Sequence, residues 1–441
     1  MQNSALNTQP NLRPIRNLRW WIGGLLFAST VINYIDRQTL AVLSPYLKEI
    51  YHWTNSDYAN LLIGFRITYT VGQTVCGRLM DRVGTRRGLT LSVLFYSMVS
   101  ISTSLARGFY SFAGFRFLLG AGESANWPGA TKAVSEWFPK QERAFATAFF
   151  DSGSSIGGAV APFLILPVYL RWGWRAVFVI PGLLGLIWLL IWRKVYHLPQ
   201  DHPRLSSAER TRILADAADS KDESFPSASG WMDLVKFRQT WGAIIARAFT
   251  DPVWFFIAEW FPIYLRAKGI SSKSELIAIW IPFIAADLGN LSGGAASGYL
   301  IKRGWSLGAA RKTIVVFGAC GMMLLIPTIA TANLWAIIVL FALATFCYGT
   351  FTTIANVLPS DLFKSNAVAS VSGMGGTGAG IGTIIAFKLI GYFSDAHQSL
   401  ATHSFDSILT VAGLVPFAGM ILVLLLVRNT RATREGIVRP I

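Results

Sequence analysis

The stretch Gly77-Arg78-Leu79-Met80-Asp81-Arg82-Val83-Gly84-Thr85-Arg86-Arg87 lies between two long apolar segments and carries five charges. A basic, glycine-containing turn is too polar for hydrocarbon, where every backbone polar group must be satisfied internally. It therefore reads as a cytoplasmic loop joining two membrane-spanning helices. Outward from this loop the chain divides into apolar windows of about 20 residues, the length a bilayer core requires. They fall at 20–44, 57–77, 88–106, 110–132, 145–168, 175–196, 241–265, 277–300, 312–331, 334–357, 367–392 and 406–427. The expected fold is all-α integral membrane, with twelve transmembrane helices in two six-helix pseudo-repeats. Composition agrees: 53 % of the residues are apolar and only 14 % charged, against about 25 % charged in an average globular chain. Such a chain cannot cover its own surface with polar groups, and lipid supplies the second apolar solvent.

The formal charge of +16 does not signal nucleic acid, because the basic residues form no single stripe. They recur in alternate loops, as Arg13/Arg16/Arg19, Arg82/Arg86/Arg87, Lys140/Arg143, Arg193/Lys194, Lys302/Arg303/Arg311/Lys312 and Arg428/Arg431/Arg434. That asymmetry follows the positive-inside rule and places both termini in the cytoplasm of a multi-pass protein of the cell inner membrane. Cys76, Cys320 and Cys347 sit inside apolar segments and form no CxxC or disulfide framework. The first apolar stretch, from Trp20, is too long for a signal peptide and lacks a small-residue cleavage site.

One long polar stretch, about 197–240, separates the halves, with a short amphipathic helix expected around Ser206–Asp219. The domains expected are a six-helix bundle over 1–196, a cytoplasmic linker over 197–240, and a second bundle with a short cytoplasmic tail over 241–441. The halves echo each other at an offset of about 223 residues. Glu136-Trp137-Phe138-Pro139…Arg143-Ala144…Gly153 is matched by Ser360-Asp361-Leu362-Phe363…Asn366-Ala367…Gly376, and Gly77–Arg82 by a degraded Gly298–Arg303. Glycines crowd the fifth helix (Gly153, Gly157, Gly158) and the eleventh (Gly373 to Gly382). They serve either close packing or surfaces that rock during transport.

Ionisable groups deep in an apolar helix are costly and become functional candidates. The first helix holds Asn33, Tyr34, Asp36 and Arg37. At 1.5 Å per residue Asp36 lies roughly 24 Å along the axis from Trp20, inside the membrane. Adjacent helical residues point about 100° apart, so Asp36 and Arg37 need partners from elsewhere. Arg116 and Glu123 share a face of the fourth helix, and Arg66, Tyr69 and Gln73 form a polar stripe on the second. Structural pairs Asp36–Arg116 and Glu123–Arg37 are one reading. Counted over this half, however, the basic groups exceed the acidic ones by one, and a surplus buried cation calls for an anion. A carboxylate ligand fits, since guanidinium forks bind carboxylates through two hydrogen bonds. Burial favours the protonated form of a carboxyl group, so Asp36 and Glu123 can couple protons to transport. In the second half, Asp251-Pro252 opens a kink followed by Trp254, Asp287 and Asn290 share a face of the eighth helix, and Asn356 with Thr352 one of the tenth. These groups either bind the hydroxyls of a sugar or form interhelical hydrogen bonds.

The pattern G-x-x-x-D-R-x-G-x-R-R resembles the loop signature of the major facilitator superfamily, which joins the second and third helices of each six-helix half. Further blocks resemble its anion:cation symporter branch: Asn33-Tyr34-Ile35-Asp36-Arg37, Tyr69–Gln73, Arg116…Gly120–Glu123, Glu136–Pro139…Glu142-Arg143 and Asp151–Gly157. Within it, Phe237–Gly242 and Trp280–Gly289 look like the hexuronate transporter group. The resemblance implies that Arg37 contacts the substrate carboxylate, that Asp36 and Glu123 are the proton-linked pair, and that Tyr69 and Gln73 line the sugar-acid site. Gly77, Asp81, Arg82, Gly84, Arg86 and Arg87 would form a cytoplasmic gating loop. Arg66 departs from the group's pattern and favours a dicarboxylate such as an aldarate.

The expected function is proton-coupled import of a sugar acid, first a hexuronate, by alternating access; an aldonate, aldarate or aromatic acid is the alternative. The expected partners are the organic anion, protons and the bilayer, with no nucleic acid, no cofactor and no metal, in a chain working as a monomer. A drug exporter fits the charged helices poorly. An enzyme lacks a constellation: His52, His197, His202, His397 and His403 have no zinc spacing, and neither a nucleophile elbow nor a P-loop occurs.

Overall fold

The computed structural model describes residues 13–219, 231–267, 273–396 and 405–427. Each of the twelve apolar windows falls on helical backbone. The first half comprises α1 (Leu18–Tyr51), α2 (Asn55–Val83), α3 (Thr85–Thr103), α4 (Phe109–Glu123), α5 (Asn126–Trp137), α6 (Lys140–Asp151) and α7 (Gly153–Val195). The polar stretch contributes α8 (Ser207–Asp219) and α9 (Trp231–Leu234). The second half comprises α10 (Arg238–Ala267), α11 (Lys273–Lys302), α12 (Leu307–Met322, continued by a 3₁₀ turn over Met323–Ala330), α13 (Leu334–Leu362), α14 (Val368–Ala396) and α15 (Asp406–Leu426). On length and composition alone, five helical runs are long and apolar enough to cross a membrane.

The boundaries differ from the windows where local chemistry dictates. The fourth window breaks into α4 and α5 because Pro128 has no N–H to return to Ser124. The fifth window begins in α6, and the rest of it runs together with the sixth in α7, parted by Gly173 at φ 77°, ψ 175°. The start of α2 carries a reciprocal cap: Asp57 N–H donates to Thr54 Oγ1 at 3.1 Å and Thr54 N–H to Asp57 Oδ2 at 2.9 Å. Along α2, Ile63, Ile67, Val71, Val75 and Leu79 recur every fourth residue and stay exposed, a stripe facing away from the bundle into lipid.

Between α2 and α3 the chain turns at Gly84, with φ 83° and ψ 155°, a region essentially restricted to glycine. Gly84→Ala should cost about 1–3 kcal/mol and lower the thermal midpoint in detergent. Gly24→Ala, on a helix with nothing within 4 Å of an added Cβ, is the control and should be neutral or stabilising. Equal midpoints for both variants would contradict the backbone argument.

The two halves meet along α2/α14 and α6/α11. A Cβ on Gly77 would lie 2.3 Å from the Ala369 carbonyl, on Gly373 2.1 Å from that of Gln73, and on Gly298 2.6 Å from that of Gln141. These glycines let backbones of opposite halves touch. Gly153 and Gly157 instead press on α1 within the first half, against the carbonyls of Phe27 and Val31. The small-residue face of the fifth helix is thus internal packing, and only part of that on the eleventh faces the other half. Helix α8 forms where amphipathicity placed it. Its Glu209 caps α1 by accepting from the N–H groups of Leu18 and Arg19 at 3.2 Å each and pairs with Arg19 Nη1 at 2.7 Å.

Candidate functional site: buried charges between the halves

Helix α1 carries Asn33, Tyr34, Asp36 and Arg37 into the bundle. Arg37 Nε meets Glu123 Oε2 of α4 at 2.7 Å. Its guanidinium lies 4.3 Å from the Tyr69 ring, 5.0 Å from Tyr34 and 5.3 Å from Phe65. Aromatic faces stabilise a desolvated cation without consuming its N–H donors. The cage therefore holds Arg37 in place while leaving donors free, and Nη2 is buried with no partner. Glu123 is fully buried and its Oε1 is likewise unpartnered.

Asp36, 1 % exposed, accepts from Ser100 Oγ of α3 at 2.9 Å, and its Oδ2 has no partner. Arg116 is buried within electrostatic range of Asp36 and Glu123 but forms no ion pair within 4 Å of either. Of the two pairs weighed from sequence, Arg37–Glu123 exists and Asp36–Arg116 does not. Gln73 is buried against Gly376 of α14, at the seam between halves. Arg66 also looks across the seam, its guanidinium 4.6 Å from the Phe255 ring of α10.

On the opposite wall, Arg247 of α10 donates through Nε and Nη2 to Asp251 Oδ2 at 3.2 and 2.9 Å. One turn on, Trp254 stacks on Tyr348 at 5.6 Å and meets Phe283 edge-on at 4.9 Å. Asp287 accepts from Ser155 Oγ of the first half at 2.8 Å. Asn290 accepts from Thr353 Oγ1 at 3.0 Å, tying α11 to α13. Asn356 is buried on α13. Asp151, at the end of α6, lies within electrostatic range of Asp287, Arg247 and Asp251.

The sequence reading passed over Arg247 and gave Asp151 no role, and both change the charge balance. Among the described residues the helices named above carry Arg37, Arg66, Arg116 and Arg247 together with Asp36, Glu123, Asp151, Asp251 and Asp287. The surplus of cations counted over the first half alone is overturned: across both halves these carboxylates outnumber the guanidiniums by one. The signal was available, since Arg247 and Asp251 stand at i and i+4 on an apolar helix.

The halves are locked at the end bearing the 77–87 loop. Asp81 accepts from the N–H groups of Ser370 at 2.7 Å and Ala369 at 3.3 Å, in the first turn of α14, where the helix dipole favours an anion. It also pairs with buried Lys132 at 2.9 Å. Arg143 donates to the Ser360 carbonyl, Arg311 pairs with Asp361 at 2.8 Å, and Arg311 Nη2 returns to the Lys140 carbonyl at 3.1 Å. Glu136 accepts from Tyr196, from Thr85 at 2.9 Å and from Ser365 at 3.4 Å. Of the loop residues singled out, Gly77 and Asp81 touch the other half and Gly84 shapes the turn. Arg82, Arg86 and Arg87 are exposed, and Arg86 donates to the Arg193 carbonyl of its own half. The basic residues Arg143 and Arg311, counted among loop charges, are in fact buried in these knots, and Arg19 is buried against Glu142 and Glu209.

Comparison with known proteins agrees with this architecture. Over 426 residues the chain is 29 % identical to a hexuronate transporter of Escherichia coli K12, covering 96 % of each. It is 33 % identical over 313 residues to a galacturonate transporter of Dickeya chrysanthemi, covering 70 % of this chain and 90 % of that one. The solved structure of the proton:xylose symporter XylE, bound to 6-bromo-6-deoxy-D-glucose, superposes with a TM-score of 0.69 at 14 % identity, covering 91 % of this chain and 94 % of that one. The family model Major Facilitator Superfamily matches residues 26–386. Two helical halves meeting along a seam of buried charges, with a family match spanning most of the sequence, make this chain a multi-pass membrane transporter and not an enzyme: it belongs to the Major Facilitator Superfamily.

Proposed function

We propose that the protein imports a sugar acid together with protons by alternating access, a hexuronate being the first substrate to test. The observation that carries this reading is Arg37: a caged guanidinium with one edge bound to Glu123 and another buried edge free. An incoming carboxylate can take the fork, as such groups do with two parallel hydrogen bonds. The named activities of the relatives, hexuronate and galacturonate transport, point to the same ligand class.

Proton coupling follows from what the ligand displaces. Once a substrate carboxylate holds Arg37, fully buried Glu123 loses its counter-charge, and a buried unpaired charge costs several kcal/mol (~3–5). Taking up a proton removes that cost. The chamber's excess of carboxylates makes the demand stronger, because each added anion deepens the imbalance. Asp36, with one bare oxygen near Arg116, is the second candidate carrier. If the termini are cytoplasmic, as the positive-inside asymmetry expects, the knots at Asp81, Arg143 and Arg311 close the cytoplasmic side and substrate enters from the outer face. Nothing in this scheme requires more than one chain.

Uptake of labelled galacturonate and glucuronate into proteoliposomes, with and without an inward proton gradient, tests the reading. Gradient-driven accumulation is expected, and absence of uptake for any sugar acid would refute it. Glu123→Gln and Asp36→Asn should keep exchange of internal for external acid but lose accumulation against a gradient. Wild-type accumulation by both variants would remove the carboxylates from the coupling scheme.

A further inference from the structure

Resting on that reading, we propose that Arg247 of α10 is a second acid anchor, set in the opposite half from Arg37 with Tyr69 near both, so that the protein binds six-carbon diacids (aldarates) more tightly than the corresponding monoacids. The two arms are built alike. Arg37 is held by a carboxylate of its own half through one oxygen only, Glu123 Oε2, and the other oxygen is buried and unpartnered. Arg247 is held by a carboxylate of its own half through one oxygen only, Asp251 Oδ2, and Asp251 Oδ1 is buried and unpartnered. Nη1 of Arg247 has no hydrogen-bond partner among the described residues.

Placement supports a shared ligand. The Tyr69 ring that lies 4.3 Å from the Arg37 guanidinium is also within electrostatic range of Arg247. The stem of Arg247 runs along Gly375 of α14, and the neighbouring Gly376 packs on Gln73. Arg37, Tyr69, Gln73 and Arg247 thus surround one region from both halves. The charged and titratable groups around the Arg247–Asp251 pair are Asp151 from α6, Tyr69 from α2 and Tyr348 from α13.

Each arm works by the same exchange. The ligand carboxylate takes the guanidinium, and the released internal carboxylate binds one proton from the aqueous phase, so charge is conserved at each arm. A diacid engages both arms and takes up one proton more than a monoacid. A ligand gripped by both halves also draws them together, which is what closure around a substrate requires.

The test is binding of galactarate and galacturonate to the purified full-length protein in detergent by calorimetry in two buffers of different ionisation enthalpy, which yields affinity and protons bound. Galactarate is expected to bind at least 10-fold more tightly and with about one extra proton. Arg247→Gln should lower the galactarate-to-galacturonate affinity ratio at least 10-fold and abolish the extra proton, and Arg247→Lys should restore part of the ratio. Asp251→Asn, which frees Arg247, should strengthen galactarate binding while also removing the extra proton. Parallel weakening of both ligands by Arg247→Gln, or loss of galactarate binding in Asp251→Asn, would overturn the proposal and leave sugar-acid transport standing. Failure of the wild-type protein to bind either acid would instead refute the transport reading on which the proposal rests.

Discussion

Arg37→Gln should abolish sugar-acid uptake in a protein that still folds. Truncating one partner of a buried, hydrogen-bonded charge pair costs about 2–5 kcal/mol, a loss of some 30- to several-thousand-fold in affinity. The same variant strands Glu123, which is fully buried, so some loss of stability is also expected. The double variant Arg37→Gln/Glu123→Gln separates the two effects. It replaces the ion pair by a neutral amide pair of similar shape, so that neither position carries an unpaired buried charge. If Arg37–Glu123 were a structural tie and nothing more, the double variant should recover both the thermal midpoint and uptake. If Arg37 holds the substrate, the midpoint should recover and uptake should not. Arg37→Lys is a third arm. Lysine keeps the charge but loses the planar fork and its stacking on Tyr34, Phe65 and Tyr69, so transport should remain far below wild type. Size-exclusion profiles, thermal midpoints and initial uptake rates together decide the matter, and wild-type uptake by the double variant would remove Arg37 from the site.

The helices and the first-half arm were legible because the signals are local. An apolar window of bilayer length needs no partner to be recognised, and Asp36, Arg37, Arg116 and Glu123 stand out against such windows. What the windows could not reveal is which charge meets which. Asp36–Arg116 and Arg37–Glu123 were equally plausible by helical face, yet only the latter closes, because Asp36 turns to Ser100 of α3. Arg247 was passed over because Asp251 was read with Pro252 as a kink and not as its partner. Counting charges in one half then gave the wrong sign for the chamber. The knots that close one end escaped for a related reason. Arg143 and Arg311 look like solvated loop cations, and only the fold brings them to Ser360 and Asp361. Hydropathy reports where a residue sits along the membrane normal, whereas these contacts depend on how two bundles are rotated against each other.

The closed end supplies the second large effect. Among the described residues Asp81 is the only anion within 4 Å of Lys132, which is 3 % exposed, and it also receives two N–H groups from the first turn of α14. Asp81→Asn keeps an acceptor for one N–H but leaves the lysine charge buried and unpaired. Breaking such a pair costs about 3–5 kcal/mol, and the cost falls on the closed arrangement, because separation of the halves lets water reach Lys132. At about 1.4 kcal/mol per tenfold, the equilibrium should move roughly 10²- to 10³-fold toward the arrangement open at this end. Spin labels on exposed Arg87 and Lys302, introduced after the three native cysteines are replaced, should report a short distance in the parent and a longer or bimodal one in Asp81→Asn. The direction of the compensating change is the sharper check. Lys132→Met added to Asp81→Asn removes the stranded charge and should return much of the population to the short distance, although it deletes a further polar contact. If Lys132→Met instead widens the distribution further, the end is held by the summed number of its contacts and not by the buried charge of this pair.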